Sequence, residues 1–533
     1  MISIRIDKRE ILVPEGITLL DAANNSGIAI PSMCYLEGCG NNPSCMVCLV
    51  KDNKSGALVP SCATRVREGM DITATSEEVT VARQQALELL MSDHVGDCEA
   101  PCSLACPAGM DIPRMNRLIG EKRFTEALEV VRRDIALPHV LGYVCPAPCE
   151  KACRRKQVDE AVSICLLKRI TAVEGSGNEV IIDAIARTAS KNLRKEKVAV
   201  IGSGPAGLAA AYYLGLMGYS CVVFEKEGIA GGMLRSAIPE KNLPGSVIDQ
   251  EVDLIRLTGA TFRFNTKVDR AFYESEIKNN FSAVIVATGD LASDNSLAGL
   301  LDTGTTGYKV HEDDFSSSVQ GIFTCGSTIR PQKMAVRSVA QGKIVASSVH
   351  SYITGKKFIR QGRLFNSRFD KLTHTEIAEY LNEADSSGRI SPSSGFIAGF
   401  SIDEAITEAR RCLHCDCRAK DNCSLRVFSH EYGVERKKYL IGERRAISKQ
   451  FQHDLIVYEP AKCIKCGLCV EISGSEGEKF GMAFTGRGFD VLISTPLGKG
   501  LHESLTVSAG KCVNACPTGA LAFRKEDAGK QSD

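Results

Sequence analysis

Twenty-three cysteines, most of them in short groups, constrain this 533-residue chain more than any other feature. Clustered thiols either close a disulfide framework or hold metal. Disulfide frameworks suit small secreted domains. This chain is large, and its start, MISIRIDKREILVPEG, carries charges where a signal peptide needs an apolar run. The thiols are therefore expected to be reduced metal ligands in a cytoplasmic protein. The length suggests roughly three to five domains. With 65 basic against 64 acidic residues and no basic run, nucleic acid is excluded as a partner. No stretch of about eighteen apolar residues occurs, so no direct membrane span is expected.

Cys34, Cys45, Cys48 and Cys62 are spaced C-x10-C-x2-C-x13-C, in a region where Ile2, Ile4 and Ile6 alternate with polar residues as in a strand. Four soft, anionic sulfurs are what a 2Fe–2S centre needs; a single zinc would favour two paired C-x2-C knuckles. The surrounding IPSMCY, PSCMVCLV and LVPSCAT resemble the ferredoxin-like domain of the large iron–sulfur subunit of respiratory complex I and of iron hydrogenases. Cys39 is spare in that pattern.

Cys98, Cys102 and Cys106 are spaced C-x3-C-x3-C, and so are Cys145, Cys149 and Cys153. HVGDCEAPCSLACPAG and GYVCPAPCEKACRR resemble the amino-terminal domain of the glutamate synthase small subunit and of dihydropyrimidine dehydrogenase. That resemblance implies two 4Fe–4S clusters with crossed ligands: Cys98, Cys102 and Cys153 on one, Cys106, Cys145 and Cys149 on the other. The family's leading C-x2-C is incomplete here. His94, four residues before Cys98, stands where the complex I relatives place a ligand histidine. Where the family carries a Gln or Glu for the second cluster, this chain has Lys168, whose protonated amine is a poor ligand. Cys165 lies three residues earlier on the same helical face, and is either the fourth ligand or a core thiol.

VAVIGSGPAGLAAAYYL places Gly202, Gly204 and Gly207 directly after an apolar strand, with Pro205 and Ala206 opening a helix. The glycines permit a tight turn and close approach to a pyrophosphate, and the helix amino-terminus faces it. Glu225, ending the next strand, would accept ribose hydroxyls. Gly231 and Gly232 resemble the flavin-approaching loop of the glutamate synthase small subunit, and VIVATG, ending in Thr288 and Gly289, its strand beneath the cofactor. The resemblance implies FAD. In those relatives a second Rossmann domain for NADPH follows; here GIFTCGSTIRPQ, the closing FAD segment, arrives within about forty residues, too few for such a domain. It carries Gly326-Ser327 where the family has Gly-Asp.

Cys463, Cys466 and Cys469, with Cys516 before a proline, form a bacterial ferredoxin-type set for one 4Fe–4S cluster, leaving Cys512 spare. GRGFDVLISTPLGKGLHES resembles an insertion in the complex I and hydrogenase relatives. Cys412, Cys415, Cys417 and Cys423 fall within twelve residues and are expected to share one centre, 4Fe–4S or zinc. Cys221 and Cys325 read as core residues.

The expected fold is multidomain, α+β and α/β. A ferredoxin-like β-grasp 2Fe–2S domain occupies 1–80, a helical domain with two 4Fe–4S clusters 81–192, and a single FAD-binding Rossmann-type domain 193–360. A linker with a cysteine cluster follows at 361–430, then a carboxy-terminal 4Fe–4S ferredoxin-like domain at 431–533. The cofactors expected are FAD, one 2Fe–2S and three to four 4Fe–4S clusters. The expected function is an electron-transfer subunit of a multisubunit NAD(P)H-linked oxidoreductase, a hetero-oligomer in which bifurcation can be built. Its expected partners are a complex I-like NADH-binding flavoprotein and a terminal metallo-oxidoreductase (hydrogenase, formate or aldehyde type) or a ferredoxin. The rivals are a self-contained NAD(P)H-dependent flavin reductase and a redox-sensing or scaffold protein.

Overall fold

The computed structural model describes residues 1–40, 42–176, 193–291, 296–360, 362–369, 371–439 and 445–525. The chain forms two compact units, each built from separated segments: Met1–Glu99, Arg363–Asn382 and Cys415–Asp533 make the first, Ala100–Gly362 and Glu383–His414 the second.

The first unit opens with a five-stranded mixed sheet of order β2-β1-β5-β3-β4: β1 Ile2–Ile6, β2 Arg9–Val13, β3 Leu49–Asp52, β4 Leu58–Pro60 and β5 Asp71–Thr73. β1 and β5 run parallel, and the other pairs are antiparallel. Alternation puts Ile4 and Ile6 into the core, where helix α1, Leu19–Asn25, adds Leu19 and Leu20. Thr18 caps α1 by accepting from the Asp21 N–H. Helix α2, Glu77–Asp93, begins at Ser76, whose hydroxyl accepts from Val79 N–H, and ends at His94. The carboxy-terminal part of this unit holds two small antiparallel sheets, Ile456–Tyr458 with Leu521–Phe523 and Ala483–Thr485 with Leu492–Ser494. Helices Leu468–Ser475 and Ala509–Ala515 pack with them.

The second unit begins with short helices: α3 Pro101–Ala105, α4 Ile112–Gly120, α5 Phe124–Asp134, α6 Pro138–Val144, α7 Pro148–Lys151 and α8 Ile164–Ser176. Proline at the first turn starts four of them, where its missing N–H costs nothing. A five-stranded parallel sheet follows in the order β10-β9-β6-β7-β8, from β6 Lys197–Ile201, β7 Ser220–Phe224, β8 Thr261–Arg263, β9 Ala283–Val286 and β10 Ile322–Thr324. β6 and β9 read as continuous apolar runs because sheet centres are covered on both faces. Between Val286 and Ile322 the described residues form turns and isolated bridges, with no second strand–helix–strand unit. Helices Pro205–Leu216 and Ala335–Thr354 pack closely because Gly342 leaves room for the Ala206 backbone. A buried ion pair, Arg132 to Glu251 at 2.9 Å, ties α5 to helix Gly245–Leu257. Glu251 also accepts from His139 N–H, and Arg132 Nη1 donates to Ala136 O at 3.0 Å, so both carboxylate oxygens and both terminal guanidinium nitrogens are engaged.

Candidate iron–sulfur and dinucleotide sites

None of the 23 cysteines is in a disulfide. In the first unit, Cys34, Cys45, Cys48 and Cys62 are each buried and lie on the loops around β3 and β4. Their sulfurs form one knot. Cys45 and Cys62 hold the Cys34 thiol down at about 2, and Cys62 lowers Cys48 to about 6. Cys45 and Cys62 are pushed up, each chiefly by its contact with Cys34.

Cys463, Cys466, Cys469 and Cys516 line one cavity of about 330 Å³, a volume of non-atom space that includes its open mouth. Burial raises the first two of these thiols, Cys463 to about 11 and Cys466 to about 12. Cys512, spare in the ferredoxin pattern, lines the same cavity from helix Ala509–Ala515. Cys39, the other spare thiol, packs against this core. Cys34 and Cys45 share a single apolar cluster with Cys466, Leu468 and Cys423.

His94 is 8% exposed, its Nδ1 has no hydrogen-bond partner, and burial, then the Lys462 charge, holds it down at about 4. It is therefore a neutral imidazole with an unused nitrogen at pH 7. Cys98, Cys417 and Cys423 are buried in this unit, as Cys415 is partly.

The second unit holds Cys102, Cys106, Cys145, Cys149, Cys153, Cys165 and Cys412. Cys106 ends α3, Cys145 ends α6, Cys149 lies in α7, Cys153 follows it, and Cys165 is in α8. Cys165 Sγ lies 4.0 Å from the Cys145 carbonyl oxygen, and its contact is the main cause that raises the Cys145 thiol. Lys168 is 3% exposed; its Nζ donates to Leu141 O at 3.1 Å and stands 3.9 Å from Cys165 Sγ. Burial would lower its pKa, but the negative charge available on Cys165, Cys145, Cys149 and Cys106 raises it. One ammonium thus sits among four thiols. Among the described residues, no three His, Cys, Asp or Glu side chains converge as the ligands of one bare ion would.

The dinucleotide cradle lies at the carboxyl end of β6. Gly202 has φ +99°, and a Cβ there would press on the Ala287 carbonyl and Thr288 Cα. A Cβ on Gly207 would overlap the Gly202 carbonyl. Pro205 is the first residue of the helix that follows Gly204. Glu225, 5% exposed, accepts the Ser203 N–H at 2.9 Å and the Ser203 hydroxyl through Oε2, and Glu227 N–H at 3.0 Å through Oε1. Gly231 N–H donates to Ser203 O at 3.1 Å, and Gly232 lies against the Gly204 backbone. Gly289 opens onto free space, while Gly326 N–H donates to Gln341 Oε1 at 2.8 Å and its Cα abuts Ala206. Ser327, in the Asp position, accepts from Gln332 N–H. Ser203 and Gln341 carried no sequence signal, since each acts on a residue remote in the chain.

Residues 1–77 match a 2Fe–2S iron–sulfur cluster binding domain, 74–179 dihydropyrimidine dehydrogenase domain II, 4Fe–4S cluster, and 200–265 an NAD(P)-binding Rossmann-like domain. The chain is 41% identical over 192 residues to the NADPH-Fe(3+) oxidoreductase subunit beta of Geobacter sulfurreducens, covering 36% of this chain and 28% of that one. It is homologous to oxidoreductase subunits. The NADP(+)-dependent formate dehydrogenase subunit beta of Moorella thermoacetica is 36% identical over 226 residues, 39% of this chain and 32% of its own. The glutamate synthase [NADPH] small chain of Bacillus subtilis is 34% identical over 236 residues, 42% of this chain and 46% of its own. The chain thus spans less than half the length of each of these relatives. The resemblances to glutamate synthase and dihydropyrimidine dehydrogenase are borne out, as is the fold class of 2Fe–2S, 4Fe–4S and Rossmann-like domains. No described helix is long and apolar enough to cross a membrane.

Proposed function

We propose that this chain is an electron-transfer subunit of a multisubunit NAD(P)H-linked oxidoreductase, carrying FAD, one 2Fe–2S and three to four 4Fe–4S centres. The observation that carries this reading is the shared apolar core of Cys34, Cys45 and Cys466, in which the amino-terminal ligand knot meets the ferredoxin-type cavity. When bound, the clusters supply one-electron steps. The buried thiols hold them, and the apolar cluster of Met33, Leu87 and Leu468 excludes solvent from the gap. Residues 202–207, 225, 231–232, 288–289 and 326 form the proposed FAD cradle; the chain between β9 and β10 is too short for a nicotinamide domain. The proposed partners are a complex I-like NADH-binding flavoprotein and a terminal metallo-oxidoreductase or ferredoxin, assembled in the cytoplasm.

Protein purified anaerobically should contain FAD and about 14–18 iron atoms. NADH and NADPH should leave the flavin oxidised unless a partner is added, whereas dithionite should bleach it. The match to an NAD(P)-binding Rossmann-like domain favours one other reading, a self-contained reductase that binds the nicotinamide in the same cradle. Rapid bleaching by either nucleotide alone establishes that reading and removes the relay.

A further inference from the structure

We propose that Cys98, Cys417 and Cys423 bind one and the same iron–sulfur centre, with the imidazole of His94 as its fourth ligand. The inference rests on the iron–sulfur reading above and refines which residues share a centre. The resemblance to the glutamate synthase small subunit groups Cys98 with Cys102 and Cys153, and spacing groups Cys417 and Cys423 with Cys412 and Cys415.

The backbone joins them otherwise. Cys417 N–H donates to the Cys98 carbonyl at 3.1 Å. Cys98 is clasped on its other side by Ser367, whose carbonyl accepts Cys98 N–H at 3.2 Å and whose N–H donates to Cys98 Sγ at 3.4 Å. A backbone N–H aimed at sulfur is the contact that a ligand thiolate uses, and it tunes the potential of the centre. Cys423 is the N-cap of helix Ser424–Glu431, so its sulfur lies at the positive end of that helix. All three thiols are nine-tenths or more buried, as is His94 with its unpartnered Nδ1.

Lys462, 4% exposed, supplies a buried positive charge that is felt by both Cys417 and His94. A mononuclear ion would demand sulfurs that converge on a point, which no three described side chains do. A four-iron cube instead binds each ligand at a different corner, so its ligands stand apart.

The test is non-additivity in the full-length protein purified anaerobically. Cys98→Ser and Cys417→Ser should each remove about four iron atoms and abolish the same 4Fe–4S signal in electron paramagnetic resonance. The double variant should lose no more than either single one. Cys98→Ser combined with Cys102→Ser should instead lose about eight. A Cys98/Cys417 double variant that loses about eight iron atoms and two signals overturns the proposal while leaving the iron–sulfur reading intact. Wild-type protein without iron would remove that reading itself. The 2Fe–2S signal reports whether each variant still folds. Should the serine variants fail to fold, His94→Cys should retain full iron, shift the g-values of one 4Fe–4S signal and lower its potential. Unchanged g-values in that variant overturn His94 as the ligand.

Discussion

Cys417 Sγ occupies the space in which a side chain on Gly519 would begin. Gly519 follows Cys516-Pro517-Thr518, so the loop closing the ferredoxin-type set lies directly against a thiol about a hundred residues earlier. The neighbouring Leu425 N–H donates to Pro517 O at 3.3 Å and holds the two loops together. A methyl group at 519 would have to displace the sulfur or the loop. Gly519→Ala should cost about 1–3 kcal/mol and perturb a 4Fe–4S signal. Gly510→Ala, on helix Ala509–Ala515 with nothing within 4 Å of its added Cβ, is the control and should be neutral or slightly stabilising. Equal thermal stability and unaltered spectra for Gly519→Ala would show that the contact is slack.

Cys165 is the fourth thiol around Lys168, together with Cys106, Cys145 and Cys149. Cys165 N–H is fixed by Glu150 Oε1 at 2.9 Å, and Glu150 is anchored in turn by Arg389 at 2.8 Å. This support holds the sulfur toward Cys145 rather than into an apolar core. Cys165→Ser should therefore lower iron by about four atoms and remove one 4Fe–4S signal. Lys168→Met should keep the iron but lower the midpoint potential of that centre, because a buried positive charge favours the reduced, more negative cluster. A Cys165→Ser protein with full iron and an unchanged spectrum would make the thiol a packing residue.

The sequence made local chemistry legible and long-range partnership illegible, for a physical reason. The strand alternation of Ile4 and Ile6, the glycines of the β6 turn and the Cys463–Cys469 spacing are short-range patterns dictated by backbone geometry. Each could be read where it stands. The hydrogen bond between Cys417 and Cys98 joins residues more than three hundred positions apart, and both stretches look self-sufficient as thiol groups. The boundary between the compact units falls between His414 and Cys415, inside a run that spacing treats as one. Lys168 reads as a failed ligand, yet its buried ammonium stands 3.9 Å from Cys165 Sγ as a counter-charge to the thiols near it. Ser203 gave no signal at all, because its role depends on β7 ending beside β6.

In the cradle, Ser203 donates twice to one oxygen of Glu225, which aims the carboxylate before any nucleotide arrives. Removing that carboxylate takes away both the ribose acceptor and the anchor of the turn. Glu225→Ala should weaken FAD binding about 10- to 100-fold, as expected for hydrogen bonds to a charged group. Ser203→Ala keeps the backbone N–H contact, so its loss should be smaller. Flavin fluorescence on dilution measures both. Retention of FAD by Glu225→Ala equal to that of the parent would sink the ribose role.

Glu478 acts on the ferredoxin-type domain at a distance from any thiol ligand. Its carboxylate accepts from the Thr506 hydroxyl and from the Val507 and Ser508 N–H groups at 2.8 Å each, as well as from the Ser508 hydroxyl, just before helix Ala509–Ala515. Partial burial would raise its pKa, but these donors lower it from 4.5 to about 2. A carboxyl with a depressed folded pKa stabilises the fold fully above its unfolded value, and the contribution fades as the pH falls toward the folded one. Glu478→Gln should therefore cost about 1–2 kcal/mol at pH 7, allowing for its partial exposure. Between pH 7 and 5 the difference in denaturant midpoint between the two proteins should stay constant, and it should shrink below about 4.5 as Glu478 protonates in the unfolded parent. A difference that is absent at neutral pH, or that does not narrow in acid, would show that the loop is held by its backbone alone.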